Sequence, residues 1–206
     1  MAFGMIKKGG LLWLLGGIEH VDSLLNFKAG HLLQDVWSFS PSNKQFQQWP
    51  NIQMKRPRAA FGCLRSGDRI LVLGGVEAYY NEELLLQSLD IRAMTTTTRT
   101  TTSTTKSNNI GGRLNAIRVT SQVISLHLNQ GWRQEPSMCQ PRIFPCAVRV
   151  RQHLYVIGGK TAIHFYLGSE NLAAYCGTYE MLNQRLDRWI EVPVMFSVYG
   201  AGIVAV

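Results

Sequence analysis

Short apolar runs that end in a pair of glycines recur three times along the chain, at residues 12–17, 71–75 and 155–159. Runs rich in β-branched and aromatic residues are typical of buried strands, and glycine adopts the positive φ of a sharp turn without steric cost. The pattern therefore predicts a repeated unit whose second strand ends at the glycine pair. The three pairs are Gly16 and Gly17, Gly74 and Gly75, and Gly158 and Gly159.

The hydrophobic pattern divides the first unit into four predicted strands. Residues 2–8 and 11–15 should form an antiparallel hairpin that turns at residues 9–10, a glycine pair typical of tight turns. Alternating apolar and polar positions predict a third strand at 35–39. Residues 45–49 are predicted to form a short fourth strand.

Two further units follow the first. The second is predicted to begin near Arg58 and the third at Arg142, and residues 197–206 resemble the first strand of another unit. An insertion at about 78–116 interrupts the second unit. Its Thr-rich tract, residues 94–109, is too polar to bury, so we expect this tract to be disordered.

The start of the chain could be mistaken for a secretory leader, because two lysines precede an apolar run. However, residues 2–9 align with residues 60–67, and both segments reach their glycine pair after the same distance. We therefore interpret the start of the chain as a structural unit.

The composition favours an all-β protein with no membrane or nucleic-acid partner. The chain of 206 residues is 46% hydrophobic and 17% charged, enough to bury a core, and it carries few helix signals. Its net charge of +8 would attract acidic peptides, nucleic acid or anionic membranes. The basic residues are scattered, however, which is typical of a solvated surface. No apolar run approaches the ~20 residues that a membrane-spanning helix needs.

The cysteines and histidines are not spaced as metal ligands, and no nucleophile elbow, phosphate loop or pair of carboxylates stands out. Reduced core thiols in a cytoplasmic protein are the favoured interpretation of the cysteines. We therefore predict a non-catalytic protein without a metal or other cofactor. The residues concerned are Cys63, Cys139, Cys146 and Cys176, together with His20, His31, His127, His153 and His164.

The repeat resembles kelch repeats, the four-stranded blades of one class of β-propellers, with a period near ~50 residues. Residues 132–142 read Trp-x-x-x-Pro-x-Met-x-x-Pro-Arg, which is similar to the junction between kelch blades, and residues 189–195 repeat its first half. The resemblance implies an incomplete propeller of about three four-stranded blades, at about 2–55, 58–138 and 142–195, plus the first strand of a fourth at about 197–206.

The resemblance also implies structural roles. A large aromatic side chain in each blade would fill the wedge between neighbouring blades, and an arginine at the blade start would pair with carbonyls or acidic groups of the adjacent blade. The first unit departs from the pattern, because Phe46 stands at the tryptophan position. Trp49 stands three residues further on, where the pattern has a small apolar residue. Besides the glycine pairs, the structural positions are Phe46, Trp49, Arg58, Trp132, Arg142 and Trp189.

In kelch-type propellers, the loops that follow the glycine pairs form a binding surface, so the resemblance implies a partner-binding face there. Charged and tyrosine side chains on these loops suit capture of a peptide, and the net charge favours an acidic one. Three blades cannot close a ring of ~4–8 blades, which leaves open edges prone to self-association. The candidate binding residues are Glu19, His20, Glu77, Tyr79, Tyr80, Lys160 and His164.

By this resemblance, the chain is expected to be the substrate-recognition part of a kelch-like adaptor for a cullin-RING ubiquitin ligase. The BTB and BACK domains that link such adaptors to the ligase do not occur in these 206 residues. One alternative is a kelch protein that binds actin or another cytoskeletal partner. Another is an enzyme built on a kelch propeller, either a copper oxidase or a sugar isomerase.

Overall fold

The described part of the chain is built from antiparallel strands, as the composition predicts. Within it, the named helical element is one 3-10 turn at Pro50–Ile52, and no helix is long and apolar enough to cross a membrane. The predicted all-β class is confirmed. The Thr-rich tract and the predicted strand at 197–206 lie outside the described residues. The computed structural model describes residues 3–19, 32–80, 115–161, 176, 178–183 and 187–193.

Four antiparallel sheets contain the described strands. In chain order, the strands are β1 (Gly4–Lys8), β2 (Leu11–Ile18), β3 (Leu32–Ser40), β4 (Gln45–Gln48), β5 (Arg58–Ala59), β6 (Gly62–Ser66), β7 (Arg69–Leu73), β8 (Val76–Tyr80), β9 (Asn115–Val119), β10 (Val123–His127), β11 (Gly131–Glu135), β12 (Cys146–Val150), β13 (His153–Ile157), β14 (Thr178–Asn183) and β15 (Arg188–Pro193). Sheet I consists of β1 to β4, sheet II of β6, β7, β10 and β11, and sheet III of β12 to β15. The strands β5, β8 and β9 form a small fourth sheet.

The predicted hairpin at the start of the chain is confirmed, because β1 and β2 pair across the two glycines. One detail of this hairpin differs from the prediction. The glycine pattern predicts that the second strand ends at Gly16, whereas β2 continues to Ile18 with a register shift between Leu15 and Gly17. The glycine pair is here a bulge within the strand, because β3 extends far enough to pair with Gly17 and Ile18.

Two strands of the small sheet, β8 and β9, lie at the two ends of the predicted insertion. The strand β8 follows the second glycine pair directly and pairs with β9 along its whole length. Apolar residues of both strands pack with Ile18, Ala59 and Ile143, which belong to other parts of the chain. Sequence reasoning missed these strands because each alternates over only five residues beside a polar tract, so the periodic signal is short.

Sheets I, II and III pack on one another in chain order. One core cluster, which includes Trp13 and Leu126, lies between sheets I and II. A second, which includes Leu73 and Val156, lies between sheets II and III. Burial of each such side chain stabilises the fold by about 1.5–3 kcal/mol, so these two clusters are the main stabilising contacts between the sheets.

In sheets II and III, one tryptophan joins the last strand of the sheet to the segment that leads into that sheet. Trp132 on β11 donates its indole N–H to the carbonyl oxygen of Ile52, at 2.7 Å. Trp189 on β15 donates in the same way to Pro136, at 2.9 Å. Ile52 lies in the segment that crosses from sheet I to sheet II, and Pro136 lies in the segment that crosses from sheet II to sheet III. Each indole therefore fixes the position of one crossing segment.

The first unit differs at the corresponding position. Phe46 stands on the face of sheet I that points away from sheet II, where it is 63% exposed and lies 4.7 Å from Phe39 between ring centroids. Trp49 instead packs 5.4 Å from Trp13 and donates a hydrogen bond to Ser38. Phe46 therefore does not fill a wedge between the described sheets, because none of them covers this side chain.

Candidate functional site

The chain after each glycine pair carries the predicted partner-binding residues, and the structure places them in different settings. Glu19 is exposed at the end of β2. Lys160 is half-buried, and its backbone pairs with Ile143. Tyr79 and Tyr80 belong to β8, whereas His20 and His164 lie outside the described residues.

Glu77 is fully buried on β8 rather than exposed on a loop. Its carboxylate accepts hydrogen bonds from Arg58 at 2.6 Å, from Arg118 at 2.6 Å and from Arg56 at 3.1 Å. Burial alone would raise the pKa of Glu77, but Arg58 and Arg118 together outweigh burial and hold the pKa below its usual value. The expectation that this side chain faces a partner is therefore corrected: Glu77 binds the arginines around it.

Arg58 is also buried, with 2% of its surface exposed. Besides the bond to Glu77, it donates to the carbonyl oxygens of Gly74 at 3.4 Å and Gln122 at 3.3 Å. Burial lowers the pKa of Arg58, while Glu77 opposes that shift. Among the described residues, the Nε–H of Arg58 is buried without an acceptor. An unsatisfied buried donor is unfavourable by about 1–3 kcal/mol, which offsets part of the stabilisation from the other hydrogen bonds of Arg58.

Arg142 repeats this arrangement one unit later. It is fully buried, and it donates to Glu180 at 3.0 Å, to the carbonyl of Gly158 at 2.9 Å and to that of Thr178 at 3.0 Å. Both arginines reach the first glycine of a pair that lies 16 residues further along the chain. The resemblance implies partners in the adjacent blade. The structure shows instead that each arginine side chain binds within the unit that it begins.

A cavity of about 230 Å³ opens beside Arg58. The crossing between sheets I and II forms one wall, and strands β10 and β11 form the other. Four of the lining residues are lysine or arginine and none is aspartate or glutamate. Because Arg56 and Arg58 are paired with Glu77, the positive charge of the lining comes mainly from Lys55 and Arg133. The lining residues are Lys55, Arg56, Arg58, Gln122, Ile124, Trp132, Arg133 and Gln134.

Trp132 holds the two walls of the cavity together, because its indole is bonded to Ile52 in the crossing. Arg133 follows Trp132 on β11, and 68% of its side chain is exposed, with Glu135 at 3.8 Å. Lys55 is exposed as well. Lys55 and Arg133, the two accessible cations that are not bound to Glu77, therefore line a single opening with the buried guanidinium of Arg58. This arrangement suits charge-assisted hydrogen bonds to a carboxylate or another anion.

Sequence reasoning treated the basic residues as scattered, and the structure brings four of them into this cavity. One local signal was present, because Lys55, Arg56 and Arg58 supply three cations within four residues. Arg133 lies far along the chain, and only the packing of β11 against the crossing places it there. Within the described ranges, no group of three or more His, Cys, Asp or Glu side chains is arranged to hold a metal ion.

We expect the thiol of Cys63 to be almost unreactive in the folded protein. Burial raises the pKa of Cys63 to about 12, so near pH 8 only about one thiol in ten thousand is ionised. Labelling by iodoacetamide should then be at least ~100-fold slower in buffer than in urea, since the thiolate is the reacting form. Timed labelling followed by peptide mass spectrometry measures both rates. Cys139, whose side chain is exposed, is the internal control, and equal native rates for the two cysteines would contradict the prediction.

Comparison with known proteins finds a likeness in fold and no family. No protein-family model and no curated protein matches the sequence. Among solved structures, that of YjhT superposes on 98% of this chain with a TM-score of 0.59 and 16% sequence identity. The superposed part is 56% of YjhT, so this chain spans about half the length of that protein. At this identity the likeness concerns the fold alone.

Proposed function

We propose that this chain is an incomplete kelch-type β-propeller that acts as a protein-interaction module and captures an acidic peptide in its basic cavity. The observation that carries the proposal is the cavity itself, which is lined by four cations and no carboxylate. Arg58, a buried lining residue, places its guanidinium beside the cavity while it donates to Glu77 and to the carbonyl oxygens of Gly74 and Gln122.

Repetition of the same contacts supports the kelch-type architecture. Each of the three four-stranded sheets has a glycine pair with positive φ in or directly after its second strand. The φ values are 49° and 114° in the first pair, 65° and 92° in the second, and 67° and 90° in the third. In the second and third units, an arginine binds the first glycine of the pair and a fourth-strand tryptophan binds the preceding crossing. Radially repeated sheets joined by equivalent contacts are the organisation of a propeller.

The chemistry of the cavity favours a carboxylate-bearing peptide over other ligands. Arginine binds carboxylates through paired N–H donors, and the exposed Arg133 and Lys55 can reach a peptide that lies across the opening. Half-buried Trp132 offers an apolar surface beside these charges. A short acidic segment could therefore bind by charge while its neighbouring apolar side chains pack on the indole.

In the cell, this activity fits the substrate-recognition part of a kelch-like adaptor for a cullin-RING ubiquitin ligase, acting in the cytoplasm without catalysis of its own. Recruitment of the ligase would require domains outside these 206 residues. Co-sedimentation with filamentous actin, measured beside pull-down of a cullin complex from cells that express the full-length protein, separates this role from a cytoskeletal one.

Loss of the two accessible cations is expected to weaken binding of an acidic peptide. The variant combines Lys55→Gln with Arg133→Gln, and the probe is a fluorescein-labelled peptide with a run of glutamates. We expect the dissociation constant to rise at least ~10-fold, because each lost charge-assisted contact contributes about 1.5–3 kcal/mol when it is shielded from water. Fluorescence anisotropy at low salt measures the change, and added salt should weaken binding to the parent protein.

The matched control combines Arg65→Gln with Arg149→Gln. These exposed arginines donate to the carbonyl oxygens of Gly67 and Arg151, which lie in turns outside the cavity, and their removal lowers the net charge by the same amount. The control should change the dissociation constant less than about twofold. An equal effect of both double variants would show that net charge alone attracts the peptide, and the cavity would lose its proposed role. A peptide with glutamine in place of glutamate should not bind.

A further inference from the structure

The face of sheet I that points away from sheet II is apolar and exposed. Directly paired residues of antiparallel strands lie on the same face, so the strand registers identify its members. Met5 is 58% exposed and Phe46 is 63% exposed, and contiguous apolar exposure of this kind marks interaction surfaces. One cross-strand row consists of Met5, Leu14 and Trp37 and ends at Gln48. The next row begins at Lys7 and continues with Leu12, Phe39 and Phe46.

The face of sheet III that points away from sheet II is apolar as well. Val150 at its rim is 48% exposed, and the rings of Tyr155 and Tyr179 lie 6.1 Å apart on it. No described sheet covers this face. Its cross-strand rows carry Ile157, Tyr179 and Val192, and then Tyr155, Met181 and Ile190.

The repeat makes these two outward faces complementary. Sheet II presents Trp132 towards sheet I and Leu73 towards sheet III. By its place in the fourth strand Phe46 corresponds to Trp132, and by its place before the glycine pair Ile157 corresponds to Leu73. The outward face of sheet I therefore corresponds to the face of sheet II that contacts sheet I. The outward face of sheet III corresponds to the face of sheet II that contacts sheet III.

We propose that the outward face of sheet III in one copy of this chain packs on the outward face of sheet I in a second copy, and that two such contacts close a two-copy ring. The contact between copies would repeat the two contacts already present between sheets inside the chain. Six sheets lie within the ~4–8 that a propeller accommodates, and a head-to-tail contact forms a ring when its rotation closes. This inference uses the proposed propeller architecture and does not depend on the acidic peptide.

Sedimentation velocity of the 206-residue chain, at about 1–100 µM, tests the proposal. The expected result is a reversible species of twice the 23.2 kDa mass of one chain. Phe46→Glu on sheet I and Val150→Glu on sheet III should each lower the association constant at least ~10-fold, because both bury a charge in the contact. The matched control is Gln47→Glu, which adds the same charge on the opposite face of β4. Thermal unfolding of each variant should match that of the parent, since both substituted side chains are exposed.

Mixing the two variants distinguishes a head-to-tail contact from other arrangements. The Phe46→Glu chain keeps its sheet III face and the Val150→Glu chain keeps its sheet I face, so an equimolar mixture retains one intact contact per pair. The mixture should therefore associate more strongly than either variant alone. A single-chain mass for the parent protein, masses that grow beyond two copies, or association that only Phe46→Glu disrupts would each overturn the proposal. The last result would indicate pairing of sheet I with sheet I.

Discussion

Replacing Glu180 by glutamine is expected to lower the free energy of unfolding by about 3–5 kcal/mol. The carboxylate of Glu180 is fully buried, and it accepts hydrogen bonds from Arg142 at 3.0 Å and from the backbone N–H groups of Cys139 and Gln140. Glutamine has nearly the same shape but no charge, so the buried guanidinium of Arg142 would lose its counter-ion. Urea titration followed by circular dichroism measures the change.

The matched control for this prediction is Glu191→Gln. Glu191 lies directly opposite Glu180 on the neighbouring strand, is half-buried, and has the amide of Gln140 at 3.4 Å rather than an arginine. Its replacement should change the free energy of unfolding by no more than about 0.5 kcal/mol. If both substitutions destabilised the protein equally, the ion pair with Arg142 would not be the cause.

Replacing Gly74 by alanine is expected to lower the free energy of unfolding by about 2–5 kcal/mol, the sum of backbone strain and overpacking. Gly74 has φ of 65°, which side chains other than glycine rarely adopt. A Cβ atom at this position would lie 2.6 Å from the carbonyl oxygen of Arg142 and 3.0 Å from the terminal methyl of Met138. The backbone of the third unit would have to move away from sheet II. Thermal and urea unfolding both report the loss.

Gly67→Ala separates the two contributions. Gly67 has nearly the same φ, 58°, but a Cβ atom there would meet nothing within 4 Å. Only the backbone strain of about 1–2 kcal/mol should remain in this variant. The difference between the two alanine variants then measures the close approach of Arg142 to Gly74. Equal losses would mean that the contact between units is not tight.

One arrangement of an arginine and a glycine pair links consecutive units. The carbonyl of Arg142 lies against the glycine pair of the second unit and accepts a hydrogen bond from Gly75 at 2.7 Å. The guanidinium of the same residue binds Gly158 in the third unit. Arg58 likewise has its carbonyl beside Gly16 and its guanidinium on Gly74. The arginine and the glycine pair therefore recur together because one residue contacts two successive pairs.

The local pattern was enough to find most strands of the three larger sheets. Alternation and glycine pairs identified the hairpin of β1 and β2 and the strand β13, since each depends on short-range preferences. The same reasoning failed for Glu77. A charged residue just after a glycine pair is typical of a loop, but pairing with β9 and three arginines buries it. Nothing adjacent in the sequence indicates those partners.

The sequence by itself determined the all-β class and the places where the backbone needs glycine, because strand alternation and positive φ are local properties. The tertiary structure alone decided which charges are buried as ion pairs and which surround a cavity. Lys55 and Arg133 face one opening only because the indole of Trp132 fastens the crossing to β11. It also decided that Phe46 lies exposed while Trp132 lies in a core cluster, since burial depends on which sheet packs against each face.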